Sequence, residues 1–127
     1  MFSRRSLLIA AALGAFAGPA FAFDIQPYDA SAVNKAIASG KPVVVHVYAP
    51  WCLQCHMQAS ILDRIKDDKA YASLQVFRVD YDNQKDVVAK LNCPRSTVIA
   101  YKGGREQKRM SWGITEASVT DVLKTVN

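Results

Sequence analysis

The hydrophobic pattern divides the chain into alternating helical and extended stretches. Val33, Ala36 and Ile37 recur at helical spacing behind Asp29, which can cap a helix that Gly40 stops after Ser39. Val43-Val44-Val45-His46-Val47-Tyr48 is a continuous run of β-formers, as in a strand covered on both faces. From Cys52 a second helix is predicted, with Met57, Ile61, Leu62 and Ile65 facing inward, ending at the polar run Lys66-Asp67-Asp68-Lys69. Leu74 to Val79 reads as a strand, and Asp82 or Asn83 can cap a helix through Leu91 that packs Val87 and Val88. Thr97 to Tyr101 and Gln107 to Trp112 are two strands joined around Gly103-Gly104, a hairpin signal. Thr115 caps a last helix carrying Val119, Val122, Leu123 and Val126 on one side. The predicted order is α-β-α-β-α-β-β-α. Its early βαβ unit implies parallel strands under helices, and its late hairpin implies an antiparallel edge, so a single α/β domain with a mixed sheet is expected.

The first residues do not belong to that pattern. Met1-Phe2-Ser3-Arg4-Arg5 is a basic start, Leu7 to Phe21 is apolar but broken by Gly14, Gly18 and Pro19, and Ala20-Phe21-Ala22 is a small-x-small cleavage site. This reads as a signal peptide over residues 1–22, cut after Ala22, ahead of a domain over residues 23–127. An uncleaved anchor is disfavoured, because a spanning helix needs about 20 apolar residues without such a break. Ser3-Arg4-Arg5-Ser6-Leu7-Leu8 also fits a twin-arginine signal, so export by the Sec or the twin-arginine route is expected. Either leads to a bacterial envelope space, the periplasm, where disulfides persist. The net charge of +5 is mild. Apart from Lys102, Arg105, Lys108 and Arg109 around one turn, the basic residues are scattered, which excludes a nucleic-acid footprint with interleaved aromatics.

The chemistry concentrates in Trp51-Cys52-Leu53-Gln54-Cys55. A Cys-x-x-Cys at a strand-to-helix corner puts its first sulfur among unpaired helix amides, at the positive end of the macrodipole. That field favours the thiolate, the nucleophile of disulfide exchange. The second cysteine follows one turn later, within reach of a mixed disulfide.

With these elements in place, the chain resembles the thioredoxin superfamily from about Asp29 to Val126. The strongest segments are Val45 to Cys55 and Thr97-Val98-Ile99-Ala100-Tyr101-Lys102-Gly103-Gly104. The resemblance implies a thioredoxin-like fold and a thiol–disulfide oxidoreductase: Cys52 attacks a protein disulfide, Cys55 resolves the mixed disulfide, and Trp51, Arg95 and Ser96 frame the substrate groove. It implies no bound cofactor and no metal, a monomer, and in the periplasm a membrane-bound redox partner. Three positions depart from the family pattern. The alignment puts Ser96 where the family has its cis-proline, with Pro94 two residues earlier as the alternative occupant; a trans Arg95–Ser96 bond is expected if Ser96 holds the site, since a cis bond there costs about 2.5–4 kcal/mol. His46 stands where thioredoxins bury an acid that helps move the resolving cysteine's proton, and a neutral imidazole titrating near neutrality can take the same role. Leu53-Gln54 replaces Gly-Pro between the cysteines, and neither residue carries charge.

Other readings share these residues. Cys52-Leu53-Gln54-Cys55-His56 also fits the c-type haem signature, with His56 on the iron and Met57 or Met110 as second ligand. The flanking β-runs argue against it, since small c-type cytochromes are helical. Cys52, Cys55, His56 and Cys93 would be the metal set of a non-catalytic metal-binding or chaperone domain, at a spacing that matches no standard module. Cys93, the odd cysteine, could approach the site rim, link chains, or sit half-buried as a free thiol without a redox role, the reading favoured here. Arg95 faces Cys52 as a thiolate partner or stands in solvent.

Overall fold

The computed structural model describes residues 23–127; the signal peptide expected over residues 1–22 lies outside them. The described elements are β1 (Ile25–Pro27), α1 (Ala30–Ala38), β2 (Val43–Tyr48), α2 (Leu53–Ile65), a 3-10 turn (Lys69–Tyr71), β3 (Gln75–Asp80), α3 (Lys85–Leu91), β4 (Thr97–Lys102), β5 (Arg105–Ser111) and α4 (Glu116–Leu123). The five strands form one mixed sheet in the order β1-β3-β2-β4-β5. β3 pairs in parallel with β1 and β2, while β4 runs antiparallel to both β2 and β5. The predicted order therefore holds except at its start. The extra strand β1 is too short to show periodicity; it forms because β3 offers an edge, with Ile25 opposite Val76. Pro27 ends it at the margin of the sheet, where a missing N–H is tolerated.

Alternation along β2 builds two cores. Val44 packs with Val76, Val98, Ala100, Ile61, Leu62 and the inner face of α4 on one side. Val43, Val45 and Val47 pack with Phe77, Val79, Ile99, Val33 and Val87 on the other. Covering both faces is why β2 reads as unbroken β-formers, and each such side chain contributes about 1.5–3 kcal/mol on burial. The caps expected at Asp29 and Thr115 are present: Asp29 accepts from the Ala32 amide, and Thr115 and Ser118 exchange the two bonds of a capping box. Two local expectations need correction. α3 starts at Lys85 behind Gln84, with no side-chain cap, because the Asp80 carboxylate instead accepts from the Asp82 and Asn83 amides and folds that segment into a turn. Met57 points outward at 38% exposure, and its inward place on α2 is taken by Gln58, which is fully buried.

Candidate active site

The β2–α2 corner forms the site. Cys52 is the N-cap of α2, with extended backbone (φ −98°, ψ 115°), and its Sγ accepts a hydrogen bond from the Cys55 amide at 3.2 Å. The sulfur thus occupies the place of a capping oxygen, where the free amides of the first turn stabilise negative charge. Cys52 and Cys55 are joined in a disulfide with Cα atoms 5.2 Å apart. Cys52 keeps 2% exposure and Cys55 none, so Cys52 is the less enclosed of the two. Cys55 Sγ lies 3.8 Å from the Val47 carbonyl oxygen. The two sulfurs are thus unequal: the first caps α2 and the second is enclosed behind it.

The wall opposite Cys52 comes from the segment before β4. Ser96 is fully buried, and its Oγ lies 3.8 Å from Cys52 Sγ. Its backbone is left-handed, at φ 60°, and the described residues contain no cis peptide bond. The Ser96 N–H donates to the Val47 carbonyl at 2.9 Å, extending the β2–β4 ladder by one bond. Ser96 therefore holds the wall with a trans bond, and Pro94 does not take that place. A non-glycine residue in this conformation costs about 1–2 kcal/mol, a strain met at constrained sites. Ser96→Pro is expected to destabilise the fold by about 3 kcal/mol or more, because proline fixes φ near −65° and removes the N–H that Val47 accepts. Ser96→Gly should stay within about 1 kcal/mol of wild type, since glycine adopts this φ freely. Urea midpoints of the two variants check both.

Trp51 and Arg95 meet at the rim. The Arg95 guanidinium stacks between two indoles, 4.7 Å from the Trp51 ring and 4.9 Å from that of Trp112. Trp51 Nε1–H donates to both Asp82 carboxylate oxygens at 2.9 and 3.0 Å. Trp51 and Trp112 stay 57% and 42% exposed, leaving a flat aromatic surface beside the dithiol. Arg95 is accordingly an aromatic spacer with its Nε buried, rather than a solvent-exposed side chain. Trp112, Asp82 and Gln58 were not legible as site residues. Trp112 was visible only as the end of a strand. Gln58 carried a usable signal: with Cys55, Ile61, Leu62 and Ile65 it falls on one helical face.

His46 requires a correction. It is fully buried, and its pKa is pushed down to about 3 by burial first and then by the Arg78 guanidinium, with the Gln58 hydrogen bond acting in the opposite sense. It does not titrate near neutrality, and so weak a base would take the Cys55 proton only at a large free-energy cost. Its Nε2 is 3.0 Å from Gln58 Oε1, while Nδ1 is buried without a protein partner.

The rival ligand sets are not assembled. Cys93 packs with the α1 and α3 core on the face of the sheet away from α2, and burial pushes its thiol pKa up. Among the described residues no group of three His, Cys, Asp or Glu side chains could hold a metal ion. The His56 ring bonds the Pro50 carbonyl and lies in hydrogen-bond reach of the Tyr48 hydroxyl. Met110 Sδ accepts from the Gly113 amide beneath Gln58, so neither His56 nor Met110 is placed to grip an iron over two enclosed cysteine sulfurs.

A mixed sheet flanked by helices, carrying a Cys-x-x-Cys disulfide at the N-cap of α2, defines a thiol–disulfide oxidoreductase on a thioredoxin-like fold. The thioredoxin family model matches residues 24–125, and the chain belongs to that family. It is 36% identical over 87 residues to thioredoxin-2 of Saccharomyces cerevisiae, covering 67% of this chain and 82% of that one. It is 30% identical over 108 residues to the thioredoxin of Mycobacterium tuberculosis, covering 81% and 92%. The crystal structure of Trxlp from Edwardsiella tarda superposes with a TM-score of 0.73 at 34% identity, covering 77% of this chain and 96% of that one.

Proposed function

We propose that this oxidoreductase works outside the cytoplasm, in the periplasm, exchanging disulfides with protein substrates and exchanging electrons with a membrane-bound partner. The Cys52 thiolate attacks a substrate disulfide, forming a mixed disulfide and releasing one substrate thiolate. Cys55 then loses its proton and attacks the Cys52 sulfur; the Cys52–Cys55 disulfide forms and the second substrate thiol leaves. The substrate gains two electrons and the protein loses two, and the same steps run backwards when the disulfide form oxidises a dithiol. Trp51, Arg95 and Ser96 frame the groove in which the substrate strand lies. The observation that carries the chemistry is the capping position of Cys52, since it marks one sulfur as the nucleophile.

The address is supported by the basic start, the broken apolar run and the Ala20-Phe21-Ala22 site. Soluble cytosolic reductants do not reach that space, which is why a membrane-bound donor or acceptor is proposed. Expression of the full chain in a Gram-negative host tests it. The expected result is release with the periplasmic fraction of a protein beginning at Phe23, and retention in the cytoplasm with Met1 intact would refute the address. Insulin reduction by the same material tests the chemistry independently.

A further inference from the structure

Gln58 is buried without any exposed surface, three residues after the resolving cysteine, and every polar atom of its amide is used. Nε2 donates to the Ser96 carbonyl at 3.0 Å and to the Gly113 carbonyl at 2.9 Å, while Oε1 lies 3.0 Å from His46 Nε2. Two carbonyl partners demand the NH2 group on that side, so the oxygen must face His46. His46 therefore carries its proton on Nε2, and its lone pair is on Nδ1. One side chain of α2 thus fastens β2, the segment before β4 and the loop after β5.

Those fastened segments are the strained ones. Ser96 and Trp112 both have left-handed backbones, at φ 60° and 72°, and the Trp112 N–H donates to the Ser96 carbonyl at 2.8 Å. Gln58 holds the Ser96 carbonyl itself and the carbonyl of the residue after Trp112. Gly113 permits the close approach, because a Cβ there would lie 2.6 Å from both Met110 Sδ and Ser118 Oγ. Everything opposite the nucleophile depends on these two residues: the Ser96 hydroxyl beside Cys52, and the Trp112 ring that stacks on Arg95.

Resting on the oxidoreductase reading above, we propose that Gln58 is the positioning residue of the dithiol. It holds by hydrogen bonds the wall that brings the Ser96 hydroxyl to Cys52, and in the reduced protein that hydroxyl donates to the Cys52 thiolate. Loss of the clamp lets the hydroxyl withdraw, destabilises the thiolate and shifts the couple toward the disulfide.

Gln58→Met keeps the volume and the helix propensity and removes both donors. The pH dependence of Cys52 alkylation by iodoacetamide should move up by about one unit. The equilibrium with glutathione should move about tenfold toward the disulfide, about 30 mV for this two-electron couple. Gln58→Glu keeps the acceptor for His46 but sets a carboxylate oxygen against two carbonyls, and the same shift is expected if the methionine variant does not fold. Ser96→Ala, which leaves the clamp in place, must show the shift by itself. Combining it with Gln58→Met must add little, because both act through one contact. A merely structural role would lower stability and leave the alkylation midpoint in place. A folded Gln58 variant with midpoint and equilibrium within twofold of wild type overturns the proposal, as do fully additive shifts or an unshifted Ser96→Ala. A wild-type protein that never equilibrates with glutathione would sink the oxidoreductase reading and the proposal together, whereas exchange by wild type that the variants match removes the proposal alone.

Discussion

Cys52→Ser is expected to bring disulfide exchange to background, a loss of at least about a hundredfold, while leaving the fold intact. Serine is among the best N-cap residues, and its hydroxyl can accept the Cys55 amide bond that Cys52 Sγ accepts now. The variant therefore loses the nucleophile without losing the helix start, and the unchanged urea midpoint of its reduced form serves as the control. Cys55→Ser behaves differently. Its Cys52 keeps the helix amides, attacks substrate and stops at the mixed disulfide, because the group that would release it is gone. A non-reducing gel should show covalent adducts with insulin chains or glutathione for Cys55→Ser and none for Cys52→Ser. An insulin-reduction rate for Cys52→Ser equal to wild type would refute the assignment of the nucleophile.

The placement of the two cysteines at a helix start was legible because it follows from local chemistry: an apolar strand, a corner, and a helix that opens behind the first cysteine. The same holds for the hairpin and for the caps at Asp29 and Thr115. What stayed hidden is what long-range pairing decides. β1 exists only because β3 supplies an edge. The family resemblance put Ser96 at the cis-proline position, but its left-handed backbone depends on bonds to Val47, Trp112 and Gln58, which come from three other segments. Reading Met57 as inward and leaving Gln58 out of the core followed the rule that a polar helical residue faces water. The rule fails here because three buried partners satisfy the amide, and a satisfied polar group costs little to bury.

His46 shows the same limit, since its position was visible and its titration was not. The imidazole meets Arg78 only because β2 and β3 pair in parallel with these two residues side by side. A site that reads as a near-neutral base is instead a neutral imidazole held between a cation, the Tyr48 ring at 6.0 Å and the Gln58 amide. The consequence belongs to stability rather than to proton transfer.

The folded protein is accordingly expected to lose stability as pH falls from about 6.5 toward 3. In the unfolded chain His46 binds a proton near pH 6.5, whereas in the folded state burial and Arg78 delay that proton until about pH 3. Between those values the unfolded state holds more protons, so stability rises with pH across the window and falls as acid is added. The full effect is present above the unfolded value, and on the order of 4–5 kcal/mol is gone at the lower end, with a limiting slope of about 1.4 kcal/mol per pH unit. Asp80 and Glu106, both held below the usual carboxylate range by their hydrogen-bond partners, act in the same direction but only at more acid pH. The interval from pH 6.5 to 4.5 therefore isolates the histidine. Urea midpoints at pH 7.5, 6.5, 5.5 and 4.5 should be level over the first step and then decline, by about 3 kcal/mol at pH 4.5. His46→Gln, which does not titrate and can still donate toward Gln58, should flatten the decline over that interval. A wild-type protein equally stable at pH 7.5 and 4.5 would show that the imidazole is already protonated in the folded state, and that Arg78 and burial do not govern it.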